Sequence, residues 1–400
     1  MSDNNIFKPA IVIPAYRRPE HLLRLLDSVN RAVYPADDIP VVLSVDGGGD
    51  TAVSEIASTY QFRQCSKVVI KRNENLGLRN HILTLGDLTE EYGSIILLED
   101  DLIVSPAYYL YAQNALEVYK DEPKVAGISL YAQQFNETAE LPFSPLNTGF
   151  DAYFMQIAAS WGQVWSNTQW RLFREWYKKN QHEPFPGNGS VPKNVIHWPE
   201  TSWKKFFISY LVQNNYWFVY PYASFSTGGT DLHAEHMLRG NTIFQVPLAM
   251  AAHLNPNFRF PELNDNIPFY DAYMEIKPEI LKDWLHLSYK DIEMDLYGTK
   301  PPELLRNVKF VITPRRSDRV IQTFPVTYKP LEQNIIHQVI EGEKPFYSLS
   351  EPGQLQDYSD SNPEWKMVLT RHLSGVKLDT RQFAKGYLRH IILNKLFKTR

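Results

Sequence analysis

The chain has 400 residues, 44% of them hydrophobic and 22% charged, which is the composition of a soluble globular protein too long for one ordinary core, so two or three packed units are expected. A formal net charge of −4 excludes nucleic-acid binding by general basicity, and the single Cys65 excludes an internal disulfide framework and suits a reducing compartment. No stretch approaches the roughly 18 apolar residues of a membrane span, and Met1 to Lys8 is too polar for a secretory signal, so a cytoplasmic protein, or one attached to the membrane from that side, is expected.

In chain order, Ala10 to Pro14 reads as a first strand. The polar loop Ala15-Tyr16-Arg17-Arg18 follows, then a helix opened by Pro19 with Leu22, Leu26, Val29 and Val33 on its buried stripe. A second strand, Val41 to Val45, runs into Asp46-Gly47-Gly48-Gly49-Asp50. The glycines let the backbone turn tightly and approach a ligand, and Asp50 caps a helix carrying Val53, Ile56, Ala57 and Tyr60. Lys67 to Lys71 is a third strand, followed by a polar loop from Arg72 to Asn80. Ile95-Ile96-Leu97-Leu98 is an unbroken apolar run, fitting a strand buried on both faces, and it ends abruptly in Glu99-Asp100-Asp101. Strands alternating with helices at this interval predict a doubly wound, mainly parallel α/β sheet.

Open α/β sheets keep their ligands in the crevice beyond the carboxyl ends of the strands, where the acidic triplet falls. Three adjacent carboxylates repel one another unless a cation or hydrogen-bond donors balance them. A divalent ion shared with substrate phosphates would do so, and oxygen ligands suit Mg²⁺ or Mn²⁺. The alternative is a solvated strand-to-helix turn, with Ser105 and Pro106 starting a helix whose buried face holds Tyr109, Ala112, Leu116 and Tyr119.

Lys124 to Leu130 is a further strand, and the polar stretch from Gln133 to about Phe150 crosses from one half of the domain to the other. The aromatic stretch from Ala158 through Trp161, Trp165, Trp170 and Trp176 reads as helical. After a loop from Glu183 to Lys193, a helix runs to about Asn214 and a strand from Tyr216 to Tyr222. Periodicity weakens near residue 261, which sets the expected units at 1–135, 136–260 and 261–400. In the last unit a strand from Val308 to Ile312 precedes a cationic loop with Arg315, Arg316 and Arg319. Arg381 to Arg400 holds six Lys or Arg and no acid, an amphipathic basic helix suited either to anionic lipid headgroups or to packing on the protein.

Residues 10 to about 240 resemble the GT-A fold of nucleotide-sugar glycosyltransferases, through Ile11-Val-Ile-Pro-Ala-Tyr-Arg17, Ser44-Val-Asp46-Gly-Gly, Asn75-Leu-Gly77-Leu and Leu98-Glu-Asp-Asp101-Leu-Ile-Val-Ser-Pro106. Within that fold they are similar to the inverting group that includes family-2 bacterial enzymes and animal N-acetylglucosaminyltransferase I. The resemblance implies that Pro14, Ala15, Tyr16 and Arg17 line a nucleotide pocket together with Gly77, that Asp46 bonds to the base, and that Glu99-Asp100-Asp101 stands for the family's DxD element. Asp101 is then the direct metal ligand, and Asp100 reaches the ribose or the ion. The implied partners are a nucleotide-sugar donor, most naturally UDP-linked, and a glycan or lipid-linked glycan acceptor of bacterial surface polysaccharide synthesis.

An inverting transfer needs one general base at the acceptor hydroxyl. Glu200, in Trp198-Pro-Glu200-Thr-Ser-Trp203, is the first candidate and Asp231 the second, although Lys204 stands where many relatives carry an acid after Trp. Arg79 is placed to assist the leaving group, and His233 and His236 to sit near the metal or phosphate. Trp161 and Trp165 are candidates for stacking on an acceptor sugar, or for core. A sugar nucleotidyltransferase would need a glycine-rich loop after the first strand, and a dinucleotide-dependent oxidoreductase a G-x-G-x-x-G fingerprint; neither is present. A catalytically silent glycan-binding module would not need the acidic triplet.

Overall fold

The computed structural model describes residues 8–229, 243–250, 257–282, 285, 288–338, 346–356 and 363–375. Strands β1 (Ala10–Ala15), β2 (Ile39–Val45), β3 (Cys65–Lys71) and β4 (Ser94–Leu97) alternate with helices α1 (Pro19–Asn30), α2 (Thr51–Thr59), α3 (Gly77–Gly86) and the short α4 (Thr89–Tyr92). There follow β5 (Leu102–Val104), α5 (Tyr108–Tyr119), β6 (Val125–Ser129), a small hairpin of β7 (Phe135–Asn136) and β8 (Leu141–Pro142), then β9 (Ala152–Met155) and β10 (Gln163–Ser166). Helices α6 (Asn167–Asn180), α7 (Lys193–Ile196) and α8 (Lys204–Asn214) precede β11 (Trp217–Pro221), β12 (Ser226–Gly228) and β13 (Phe269–Tyr270).

Nine strands form the central sheet in the order β13-β9-β11-β6-β10-β4-β1-β2-β3. From β4 to β3 all neighbours are parallel, with Ala10 opposite Ile95 and Ile11 opposite Val41. The β4 side chains alternate between two cores. Ile95 and Leu97 join Val12, Ile82, Trp165 and Phe207 on one face, whereas Ile96 joins Ile11, Ile13, Leu22 and Tyr109 on the other. Each such side chain contributes about 1.5–3 kcal/mol relative to exposure, which is why the run contains no polar residue until the sheet ends. Pro14 lies beyond the last β4 residue paired with β1, where a missing N–H costs no ladder bond.

Several local expectations shift. Ser105 and Pro106 do not open α5, which begins at Tyr108. Leu102–Val104 is instead a strand paired antiparallel with β12, and Ser105 bonds through its hydroxyl to Ala249 O and Ala107 N. Val33 falls past the end of α1 and is exposed. The aromatic stretch is not one helix. Trp165 lies on β10, which runs antiparallel between β4 and β6 with Trp165 opposite Ile95. A strand buried on both faces is as continuously apolar as a buried helix, so periodicity alone cannot separate them. The boundary is marked by a Ser166/Gln169 capping box that starts α6.

The central sheet takes strands from both sides of residue 261, since β13 pairs with β9. A second sheet follows, of β14 (Ile292–Met294), β15 (Phe310–Thr313), β16 (Val320–Phe324) and β17 (Tyr347–Ser350) in the order β14-β15-β17-β16. Buried Lys300 bonds to Asp271, next to β13, and to Glu293 on β14, tying the two sheets together. Arg315 is part of this frame and not a solvated cation. Its Nε lies 3.0 Å from buried Asp295 Oδ2 and its Nη2 donates to the carbonyls of Gly298 and Lys300. The basic segment 381–400 lies outside the described residues, and among the described residues no helix is long and apolar enough to cross a membrane.

Burial raises the Glu332 carboxyl from its ordinary value to about 7, and its Oε2 has no hydrogen-bond partner among the described residues. The folded state therefore holds a proton that the unfolded chain releases from about pH 4.5 upward, so this site's contribution is full below that pH and is lost as pH rises to about 7. Glu332→Gln, which mimics the protonated form, is expected to leave urea stability near wild type at pH 5 and to raise it by roughly 2–3 kcal/mol at pH 8. Equal effects at both pH values would contradict this.

Candidate active site

A cleft of about 440 Å³ opens at the carboxyl ends of β1, β2 and β4. Its walls are Pro14, Ala15, Tyr16, Arg17 and Arg18 after β1, Asp46 after β2, Asn75, Gly77, Leu78 and His81 at the start of α3, and Glu99, Asp100 and Thr201. The loops are shaped by close backbone approach. A Cβ on Gly49 would lie 2.2 Å from Tyr16 O, and Asp50 N donates to that same carbonyl at 2.9 Å. Only glycine therefore lets the β2 loop close onto the β1 loop.

Asp46 is buried, and its Oδ1 accepts from Gly47 N at 3.0 Å and Leu76 N at 2.9 Å, which holds the second and third loops together. Beside it, His81 Nε2 lies 2.8 Å from Ser44 Oγ, and burial lowers the imidazole below its ordinary value so that it stays neutral at pH 7. Arg17 is exposed and stacks its guanidinium 4.5 Å from the centre of the Tyr16 ring.

The acidic triplet has a counter-ion from within the chain. Arg18 Nη2 lies 2.5 Å from Asp100 Oδ1 and Nη1 lies 2.7 Å from Asp101 Oδ2, with the three side chains only 22%, 6% and 13% exposed. Burial opposes the Arg18 charge, and Asp100, Asp101 and Glu99 together outweigh it, holding the guanidinium above its usual range. Burial pushes Glu99 up to about 8, and the Asp101 charge adds to this against the pull of Arg18. The site thus crowds more negative charge than one guanidinium balances.

The residues fit a hard divalent cation through their oxygens. Asp101 Oδ1 is buried and has no hydrogen-bond partner among the described residues. Among those residues no group of three or more His, Cys, Asp or Glu could hold an ion alone. One or two carboxylates completed by substrate phosphates and water is the arrangement Mg²⁺ favours.

The structure brings Pro14, Ala15, Tyr16, Arg17, Asp46, Gly77, Glu99 and Asp100 around one cleft; Asp101 is not among its walls but shares the Arg18 guanidinium with Asp100. Arg79 is not among its walls. It reaches Glu200 at 3.9 Å and lies over the Phe206 ring. Glu200 sits beside the wall residue Thr201, 81% exposed, and accepts from Lys205 Nζ at 2.5 Å, a bond that lowers its pKa. Asp231, His233 and His236 lie outside the described residues. Trp165 is core, packed on Trp170 and Phe207. Arg18 and His81 were missed by motif reading. The helix start at Pro19 does not separate Arg18 from Arg17; only the fold brings Asp100 and Asp101 within reach of Arg18.

Residues 10–157 match the family model for glycosyl transferase family 2. No curated protein matches the chain. Among solved structures it is similar to residues 1–349 of TarS from S. aureus, at 11% identity over 56% of this chain and 60% of that one with a TM-score of 0.34. It is also similar to the mannosyltransferase PcManGT from Pyrobaculum calidifontis in complex with GDP-Man and Mn²⁺, at 14% identity over 47% and 50% with a TM-score of 0.29. A third is GalNAc-T7 with UDP, GalNAc and Mn²⁺, at 14% identity over 55% and 43% with a TM-score of 0.34. The chain therefore spans at most 60% of the length of these structures. The part of the chain from β1 to β9, which carries Asp46 and the acidic triplet, matches the glycosyl transferase family 2 domain, and the mainly parallel sheet around it is of GT-A type.

Proposed function

We propose that the protein is a metal-dependent, inverting glycosyltransferase that moves a sugar from a nucleotide donor, UDP-linked in the first instance, to a hydroxyl of a growing glycan such as a bacterial surface polysaccharide or lipid-linked oligosaccharide. One observation carries the reading: a cleft built at the ends of three parallel strands joins buried Asp46 on one side to Glu99 and Asp100 on the other. The family match over residues 10–157 supports it.

In this reading Asp46 and the Tyr16 loop hold the nucleoside, and Asp101 with Asp100 would hold Mn²⁺ or Mg²⁺. The bound ion supplies charge neutralisation for the leaving group. Arg18, already among the carboxylates, supplies a second positive charge at the same place. Glu200 stands at the cleft edge as the candidate base. Its salt bridge to Lys205 keeps it ionised, which suits proton acceptance but makes it a weak base until the acceptor displaces that contact. Asp231 is the alternative. A membrane contact through residues 381–400 on the cytoplasmic face would bring the cleft to lipid-linked acceptors.

Asp101→Ala is expected to abolish the extra rise in Tm that Mn²⁺ gives to a UDP-sugar complex, because a tight ligand stabilises by mass action and this variant loses the metal-linked part. A Mn²⁺-dependent shift equal to wild type would exclude Asp101 as the ligand. Glu200→Gln is expected to lower transfer by about 10²–10⁴ while leaving donor-induced stabilisation in place. Transfer at the wild-type rate passes the base role to Asp231 or another acid.

A further inference from the structure

Lys204 opens α8 at a place where the first helical turn has no acid and the preceding residue offers no side-chain cap. Its ammonium lies 4.9 Å from the centre of the Trp198 ring and 5.6 Å from that of Trp161, and its side chain is only 13% exposed. Trp161 in turn packs on Tyr131 and Phe244, and Phe244 on Phe135. These rings form a ledge in which Phe135, Trp161, Trp198 and Phe244 are all part-exposed.

The neighbouring Lys205 shows what a closed pair looks like here. It is 1% exposed and bonds Glu200 at 2.5 Å and the Trp198 carbonyl at 3.1 Å. Lys204 instead faces Glu137 at 3.5 Å, longer than the roughly 2.7–2.9 Å of a charge-assisted hydrogen bond. A largely desolvated ammonium with a loose carboxylate partner gains from an incoming oxyanion. A Cβ on Gly228 would lie 4.0 Å from Trp161 Nε1, and Gly228 pairs with Leu102, the residue after Asp101, so the ledge lies near the acidic triplet. Lys204, Trp161 and Trp198 are absent from the walls of the Asp46 cleft, which places the ledge outside the space assigned to the nucleotide.

We infer that Lys204, with Trp161 and Trp198, forms an acceptor subsite that selects a sugar bearing an oxyanion, its ring stacked on an indole and its charge on the Lys204 ammonium. This rests on the transferase reading and deepens it by naming the acceptor class. A neutral hydroxyl acceptor would not need a buried ammonium beside two tryptophans, whereas a carboxylate or phosphate on the sugar replaces the Glu137 contact with a shorter one. Aromatic faces and Lys or Arg cations are recurrent recognition elements for such ligands.

The test uses ligand-observed NMR on the full chain saturated with UDP and Mn²⁺, so that the donor site is filled. The probes are a matched set: methyl glucuronide, methyl glucoside 6-phosphate and methyl glucoside. Wild-type protein is expected to bind at least one anionic probe ten-fold or more tightly than the neutral one, and the preferred probe tells carboxylate from phosphate. Lys204→Gln is expected to equalise the three, and Lys204→Arg, which keeps the charge, to retain the preference. Equal binding by wild type, no anionic binding at all, or an unchanged preference in Lys204→Gln overturns the inference. If Lys204→Gln fails to fold, Trp198→Ala takes its place: it removes a stacking face and keeps the cation, so it is expected to weaken binding of all three probes while the anionic preference persists, and unchanged affinities there overturn the inference. Donor hydrolysis by the wild-type protein, measured without acceptor, reports the transferase reading separately.

Discussion

Three consecutive carboxylates at the mouth of a buried strand are the constraint on which this site turns. Chain continuity forbids Glu99, Asp100 and Asp101 from moving apart, and two like charges about 5 Å apart repel by roughly 3 kcal/mol even at an effective dielectric near 20. The sheet places them there because β4 is apolar from Ile95 through Leu97 and ends in the crevice where β1 and β2 also end. Compensation therefore has to come from the loops. Arg18 supplies it from the start of α1, at a position set by Pro19 in the first helical turn. What one guanidinium leaves unbalanced is what a hard cation and a diphosphate can complete.

The rest of the chain serves this crevice by fixing its walls. Two backbone N–H groups, of Gly47 and Leu76, bond to Asp46 and so tie the loops after β2 and β3 together. Strand β10, inserted antiparallel beside β4, carries Trp165 into the core under the cleft, where Trp170 and Phe207 close around it. The second sheet is anchored to the first through Lys300 and Asp271 and braced within itself by Arg315 on Asp295. These ionic contacts are buried and hydrogen-bonded, which makes breaking one partner costly whatever the net worth of the pair. Charges that look functional in the sequence, such as Arg315, are in this way consumed by architecture.

Legibility in the sequence followed from how local the determining physics is. The strands β1 to β4, the Asp50 cap and the buried face of α5 were readable because apolar runs, caps and glycine turns are local signals. The cleft residues that follow strand ends, Tyr16, Asp46 and Asp100, were readable for the same reason. Trp165 was not, since both faces of β10 are buried and the run loses its period of two. Nor was Val104, whose strand exists only because Ser226 pairs with it from far along the chain. Arg18 and Lys204 were visible as cations, but their partners lie 83 and 67 residues away, at Asp101 and Glu137, and no spacing rule reports such contacts.

The central claim is that Asp101 seats a cation against the donor diphosphate. It is tested most directly by anomalous diffraction from crystals grown with Mn²⁺ and UDP. The account predicts a manganese peak within coordinating reach of the Asp101 carboxylate, beside UDP in the Asp46 cleft. UDP bound in the Asp46 cleft with no manganese within reach of Asp100 or Asp101 would contradict it.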